Sequence, residues 1–234
     1  MKLSGPSFRL VAAGALLSAT LAGCGSSDDG EEASGEPLVG TFRLDAGHCD
    51  AKGVTGSYFR MIQPGGTVEK GGYFLNPDSK CPDQSYSVAV AGTDGGLVTG
   101  TFQPGPKAAF SPQGDALAGQ ITRPGTFTAI KFAISTQSVD PGTGEELPRP
   151  EIRNDDGVLS GQLTAWTAGW NNLYFNQGSP KPDGSEKGLT SPVEGTYDED
   201  SGHFELSWSS TIEGGPFDRF SGYWHLEGTF VAAK

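Results

Sequence analysis

Histidine and cysteine are scarce in this chain, with three of each among 234 residues. His48, His203 and His225 are the only imidazoles, so a serine nucleophile would have few bases to draw on. No Gly-x-Ser-x-Gly elbow occurs, and no His-Glu-x-x-His pair. The Walker, Rossmann and zinc-finger spacings are missing as well. Past residue 21 no apolar run approaches the roughly 20 residues that a membrane-spanning helix needs. Helices are also hard to place, because glycine or proline interrupts nearly every window of twelve. Positive charge is short: 16 Lys and Arg stand against 28 Asp and Glu, a net charge of −12. Such a chain is repelled by nucleic acid and by anionic head groups, so no nucleic-acid partner is expected.

What is present begins at the N-terminus. Lys2 and Arg9 form a basic segment, followed by the apolar stretch Leu10 to Leu21. That length suits a secretory leader and is too short to span a bilayer. Leu21-Ala22-Gly23-Cys24 closes it and resembles the lipobox of bacterial lipoproteins. The resemblance implies diacylglycerol on the Cys24 thiol, cleavage before Cys24 and often acylation, with palmitate, of the new amino group. Two or three acyl chains make a stable anchor, so the mature chain is expected to be tied to a membrane without crossing it. Gly25, in place of Asp, is the outer-membrane pattern of enterobacterial lipoproteins; the membrane itself stays open. Removing Lys2 and Arg9 with the leader leaves 14 basic against 28 acidic residues, a charge of −14. Residues 24–37 hold no apolar side chain larger than Ala apart from Cys24 and Pro37, and read as a flexible tether.

With Cys24 lipidated, Cys49 and Cys81 remain. In an oxidising compartment two spare thiols predict one disulfide. It closes a loop of about 30 residues, worth roughly 3–4 kcal/mol in chain entropy. A metal pair with His48 is the alternative, but no second cysteine lies at zinc-ligand spacing.

Residues 38–234 read as one all-β extracytoplasmic domain of about ten to thirteen strands. Ile130, Phe132 and Ile134 alternate with Ala129, Lys131 and Ala133 within a strand placed at 126–136. Phe204, Leu206 and Trp208 alternate in the same way, as do Trp224, Leu226, Gly228 and Phe230. Asn154-Asp155-Asp156-Gly157 and Asp198 to Gly202 are turn signals between such runs, and Asp140-Pro141-Gly142 is another. Trp166 and Trp170 fit one helix face or one strand face, and the glycine-rich setting favours the strand. Gly-Thr-aromatic recurs at 40–42, 100–102, 195–197 and 228–230. It reads as strand starts, and its place at both ends hints that first and last strands pair. The expected fold is an antiparallel two-sheet sandwich, with a closed calycin-like barrel as the alternative.

Gly214-Gly215-Pro216-Phe217 and Gly222 to Gly228, with Trp170-Asn171 and Phe175 to Gly178, resemble phrases in secreted β-rich bacterial proteins of unknown function. The resemblance covers about the last 110 residues and implies an extracytoplasmic β-domain without an activity.

Three groups of residues invite a functional reading. Trp166, Trp170, Asn171, Asn172, Tyr174 and Gln177 mix aromatic rings with amides, as a glycan surface does when rings pack on sugar C–H groups and amides bond hydroxyls. The plain alternative is a core or edge role. Tyr223, His225 and Glu227 share a strand face and would make an acid–base cluster in a cleft, or else a solvated face opposite Trp224 and Leu226. Asp198 and Asp200 outline part of a calcium loop, though Ser209 stands where the loop would need Glu. No cofactor is expected, calcium being the one candidate. The sequence thus points away from catalysis and toward a lipid-anchored envelope protein that binds a glycan or has a structural role. A carboxylate-dependent hydrolase, and a barrel carrying a lipid or other apolar ligand, are the alternatives.

Overall fold

The computed structural model describes residues 34–234. The leader, Cys24 and most of the tether lie outside the described residues. Those described form an all-β, antiparallel structure whose one helical element is a 3-10 turn at Gly215–Phe217.

The strands, in chain order, are β1 (Glu36–Pro37), β2 (Gly40–Leu44), β3 (His48–Asp50), β4 (Gly53–Thr55), β5 (Tyr58–Thr67), β6 (Gly71–Tyr73), β7 (Ser87–Val88), β8 (Gly96–Val98) and β9 (Gly125–Phe127). They continue as β10 (Ile130–Thr136), β11 (Glu151–Asp155), β12 (Val158–Gln162), β13 (Trp166–Trp170), β14 (Leu173–Asn176), β15 (Val193–Tyr197), β16 (His203–Thr211) and β17 (Ser221–Ala232). The count exceeds expectation because β1, β3, β4 and β6 to β9 are only two or three residues long. Glycine and proline cut the first half into pieces too short to show a period-2 pattern.

Eleven strands make one large curled sheet, ordered β1-β11-β12-β15-β16-β17-β2-β8, with β5 also on β17 and β6 and β7 on β5. β17 is its spine. One edge pairs β16 from Ser221 to Thr229. The other edge is shared between β5, along Ser221 to His225, and β2, along Gly228 to Ala232. The first and last Gly-Thr-aromatic motifs do pair: Phe42 is the register partner of Phe230, and their rings lie 4.8 Å apart. The copy at 100–102 sits in a turn instead of a strand.

A second sheet runs β14-β13-β10-β9. The strand expected at 126–136 is in fact the hairpin β9–β10, because Thr128 and Ala129 both take positive φ, 49° and 65°. Nothing in a Thr-Ala dipeptide signals such a turn. It is held from outside: the Asp78 carboxylate accepts the Ala129 N–H at 2.6 Å.

One hydrophobic cluster joins both sheets. Trp166 of the small sheet meets Trp208 and Trp224 of the large one edge-on, at 5.2 and 5.4 Å between ring centroids. The alternation on β16 and β17 decides which face this is. Phe204, Leu206, Trp208, Trp224 and Leu226 point inward and are buried. β3 and β4 form a small separate ribbon that carries Cys49, which is bonded to Cys81 with a Cα separation of 5.4 Å.

Candidate functional site

β14 is an edge strand with one buried residue, Phe175, which faces the core. By the period of two, Tyr174 and Asn176 turn the other way. There they line a cleft of about 430 Å³, completed by the Asp140 turn, the 181–187 loop and Glu213.

Asn176 organises this cleft. Its amide nitrogen donates to the Asp140 carboxylate at 3.0 Å and to the Thr164 carbonyl at 2.8 Å. Its amide oxygen accepts the Gly178 N–H at 3.0 Å. Its backbone carbonyl accepts from Lys181 Nζ at 3.0 Å. Asp140 is buried, and its other oxygen accepts the Gly142 and Thr143 N–H groups, which closes the Asp140-Pro141-Gly142 turn. The side chains of Asn176 and Asp140 therefore hold two loops against one strand.

Lys181 is the unusual member. It is only 4% exposed. Burial pushes its amine down to about 8, while the charges of Glu213 and Asp140 act in the opposite direction without offsetting it. Lys187 sits at the rim and pairs with Asp183 at 2.8 Å and Glu213 at 3.1 Å. Hydrogen bonding to Lys187, and then to Ser185, holds the Asp183 carboxyl well below the usual carboxylate range. The Tyr174 ring is 37% exposed and leans on Phe110, 5.1 Å between centroids. The cleft thus offers one aromatic face, both signs of charge and a buried ammonium.

The structure separates the aromatic–amide group that the sequence places together. Trp166 is fully buried, so its ring has no free face. Trp170 is half-buried and donates its indole N–H to the Phe127 carbonyl at 2.8 Å. Gln177 is buried between Trp208 and Trp224: its carbonyl accepts from Trp208 Nε1 at 2.9 Å, and its amide oxygen accepts from Trp224 Nε1 at 3.4 Å. Asn171 and Asn172 form the β13–β14 turn with φ of 50° and 60°. Only Tyr174 of the six lines the cleft. Lys181 escapes sequence reasoning, because a lysine between two prolines carries no periodicity that marks it as buried, and Asp140 is legible there only as a turn residue.

Tyr223, His225 and Glu227 do share the outer face of β17, half-buried, opposite Trp224 and Leu226. His225 stacks on Tyr58 at 4.8 Å, and its Nε2 stands 3.7 Å from the Glu227 carboxylate. That carboxylate also accepts the Gly56 N–H at 2.9 Å. Burial and the neighbouring Tyr223 raise the Tyr58 hydroxyl well above its ordinary value. Beside this patch runs a groove of about 520 Å³ over Ser207, Ser209 and Tyr223, walled by the 188–192 loop and the β5–β6 hairpin. Asp198 closes its own turn by accepting the Ser201 N–H at 2.9 Å. Among the described residues no group of three or more His, Cys, Asp or Glu is placed to hold a metal ion. Between the sheets lies an apolar cavity of about 40 Å³ beside Phe127, Trp170 and Phe217, too small for an acyl chain.

No protein-family model, curated protein or solved structure matches the chain.

Proposed function

We propose that this chain is an exported, lipid-anchored envelope protein that binds a glycan, without catalysis, in the cleft beneath Tyr174. The anchor is the Cys24 lipid suggested by the Leu21-Ala22-Gly23-Cys24 motif, and residues 24–37 are the tether. The Cys49–Cys81 disulfide is compatible with an extracytoplasmic location. The two layers are read as a two-sheet sandwich whose larger sheet curls part-way toward a barrel.

The observation that carries the ligand reading is the cleft itself. It is lined by the partly exposed Tyr174 together with Lys181, Lys187 and the carboxylates of Asp140, Glu145, Asp183 and Glu213. A sugar needs both: an apolar ring for its C–H face and charged partners for its hydroxyls, since hydrogen bonds to charged groups are the stronger ones. A concave site with a few convergent polar groups is the ordinary form of a small-ligand site.

A glycan array probed with the full chain tests this. The expected result is a set of related glycans bound by the wild type, with signal reduced at least about tenfold by Tyr174→Ala, an effect of roughly 1.4 kcal/mol. Tyr174 is exposed at an edge, so this variant leaves the core intact. Binding that survives Tyr174→Ala unchanged, or an array without hits, would overturn the reading.

A further inference from the structure

A lysine is rarely buried unless its charge is paired. Lys181 is buried, yet among the described residues its Nζ has no carboxylate within 4 Å. Asp183 and Glu213, the obvious partners, are both taken by Lys187. Of the three donors on the ammonium, one is used, on the Asn176 carbonyl. The other two are left to the cleft of about 430 Å³ that Lys181 lines. A lysine kept only for stability would be paired or exposed, and this one is neither.

We propose that Lys181 is a reactive amine that captures a carbonyl group as an imine, and that the carbonyl class it meets is the open-chain aldehyde of a reducing sugar. This rests on the glycan reading of the same cleft and narrows its ligand to sugars with a free reducing end. The lone pair of the neutral Nζ attacks the carbonyl carbon. A C–N bond forms, the C=O π pair moves to oxygen, and an amine proton follows it to give a carbinolamine. Loss of the hydroxyl with the second amine proton, as one water, leaves C=N. One amine and one aldehyde give one imine and one water, with no oxidant or reductant. Asp140 and Glu213 line the same cleft but are engaged by Asn176, the Asp140 turn and Lys187, so these protons pass through solvent water in the cleft. The lowered amine value, about 8, keeps a usable share of Nζ neutral and nucleophilic.

The test is reductive trapping on the full chain with its disulfide intact. Glycolaldehyde is the probe, sodium cyanoborohydride the trap, and peptide mass mapping the readout at pH 8. An ordinary lysine, with its value of 10.5, is under 1% neutral at that pH, whereas Lys181 is about half neutral. Lys181 is therefore expected to be modified at least about tenfold faster than the exposed Lys52, Lys70 and Lys107. Its rate should level off above pH 8 while theirs keep rising. A Lys181 that stays unmodified, or reacts at the pace of the surface lysines, overturns the proposal. A panel of methyl glycosides, which have no free aldehyde, separates the two readings. Methyl glycosides that bind while Lys181 stays inert leave the glycan site standing and remove the imine. Fast modification of Lys181 that no methyl glycoside slows, on a chain without array hits, keeps the reactive amine and removes the glycan site.

Discussion

The buried amine of Lys181 gives folding a pH dependence of definite sign. Its folded value is about 8, against 10.5 for a free lysine. Between these values the unfolded chain holds a proton that the folded chain has shed, so this residue's contribution to stability rises with pH across the window. The cost is fully present below about pH 8 and is on the order of 3 kcal/mol. Lys181→Met removes the charge and keeps most of the stem. It is predicted to be more stable than wild type at pH 7 by up to about that amount. The advantage should shrink toward zero by pH 10.5, as followed by urea unfolding across pH. An advantage that does not change with pH would mean that Lys181 is not held neutral by burial. At this scale the sequence is least informative. Tyr174 could be picked out as an aromatic near amides, but Lys181 and Asp140 could not. Their role comes from a hydrogen-bond network centred on Asn176 that joins positions far apart in the chain.

Strands with a clean alternation are legible in the sequence, and those without it are not. β16 and β17 carry apolar residues at every second place, and the structure buries that set apart from the half-buried Phe230. The Asn154 to Gly157 and Asp198 to Gly202 turns join β11–β12 and β15–β16 as their residues suggest. The β9–β10 turn was hidden because Thr128 and Ala129 are held in the left-handed region by contacts elsewhere in the fold. That strain is testable. A non-glycine residue at positive φ costs roughly 1 kcal/mol, so Ala129→Gly should raise the unfolding free energy by about that amount. Unchanged or lower stability in urea would contradict it. The opposite substitution belongs on β17. A Cβ at Gly228 would stand 1.8 Å from the Arg43 carbonyl oxygen, so Gly228→Ala must push β2 away from β17. A loss of about 2 kcal/mol or more is expected, visible as a lower urea midpoint. A neutral effect would mean that this pairing matters little to the fold.

At the scale of the molecule, an all-β architecture and one disulfide follow from composition, while the shape of the large sheet does not. A strand that gives one edge to two partners, as β17 does to β5 and β2, leaves no mark in its own sequence. The disulfide ties the β3–β4 ribbon to the 81–86 loop across a separation of 32 residues. Its reduction should lower stability by roughly 3–4 kcal/mol, measured by urea unfolding with and without reductant. A loss far below that would show that the unfolded chain is already compact there. For the anchor, Cys24→Ser is expected to move the chain from the membrane fraction to the soluble one and to abolish incorporation of labelled palmitate; a variant that stays membrane-bound would contradict lipidation at that residue. The central claim is that sugar binds beneath Tyr174, and the most direct measurement is a crystal structure of the protein soaked with the strongest array ligand. The account predicts a sugar ring stacked on Tyr174 with a hydroxyl or carbonyl carbon at Lys181 Nζ. Sugar lying instead in the outer groove over Ser207 and Tyr223, or an unliganded cleft at saturating sugar, would contradict it.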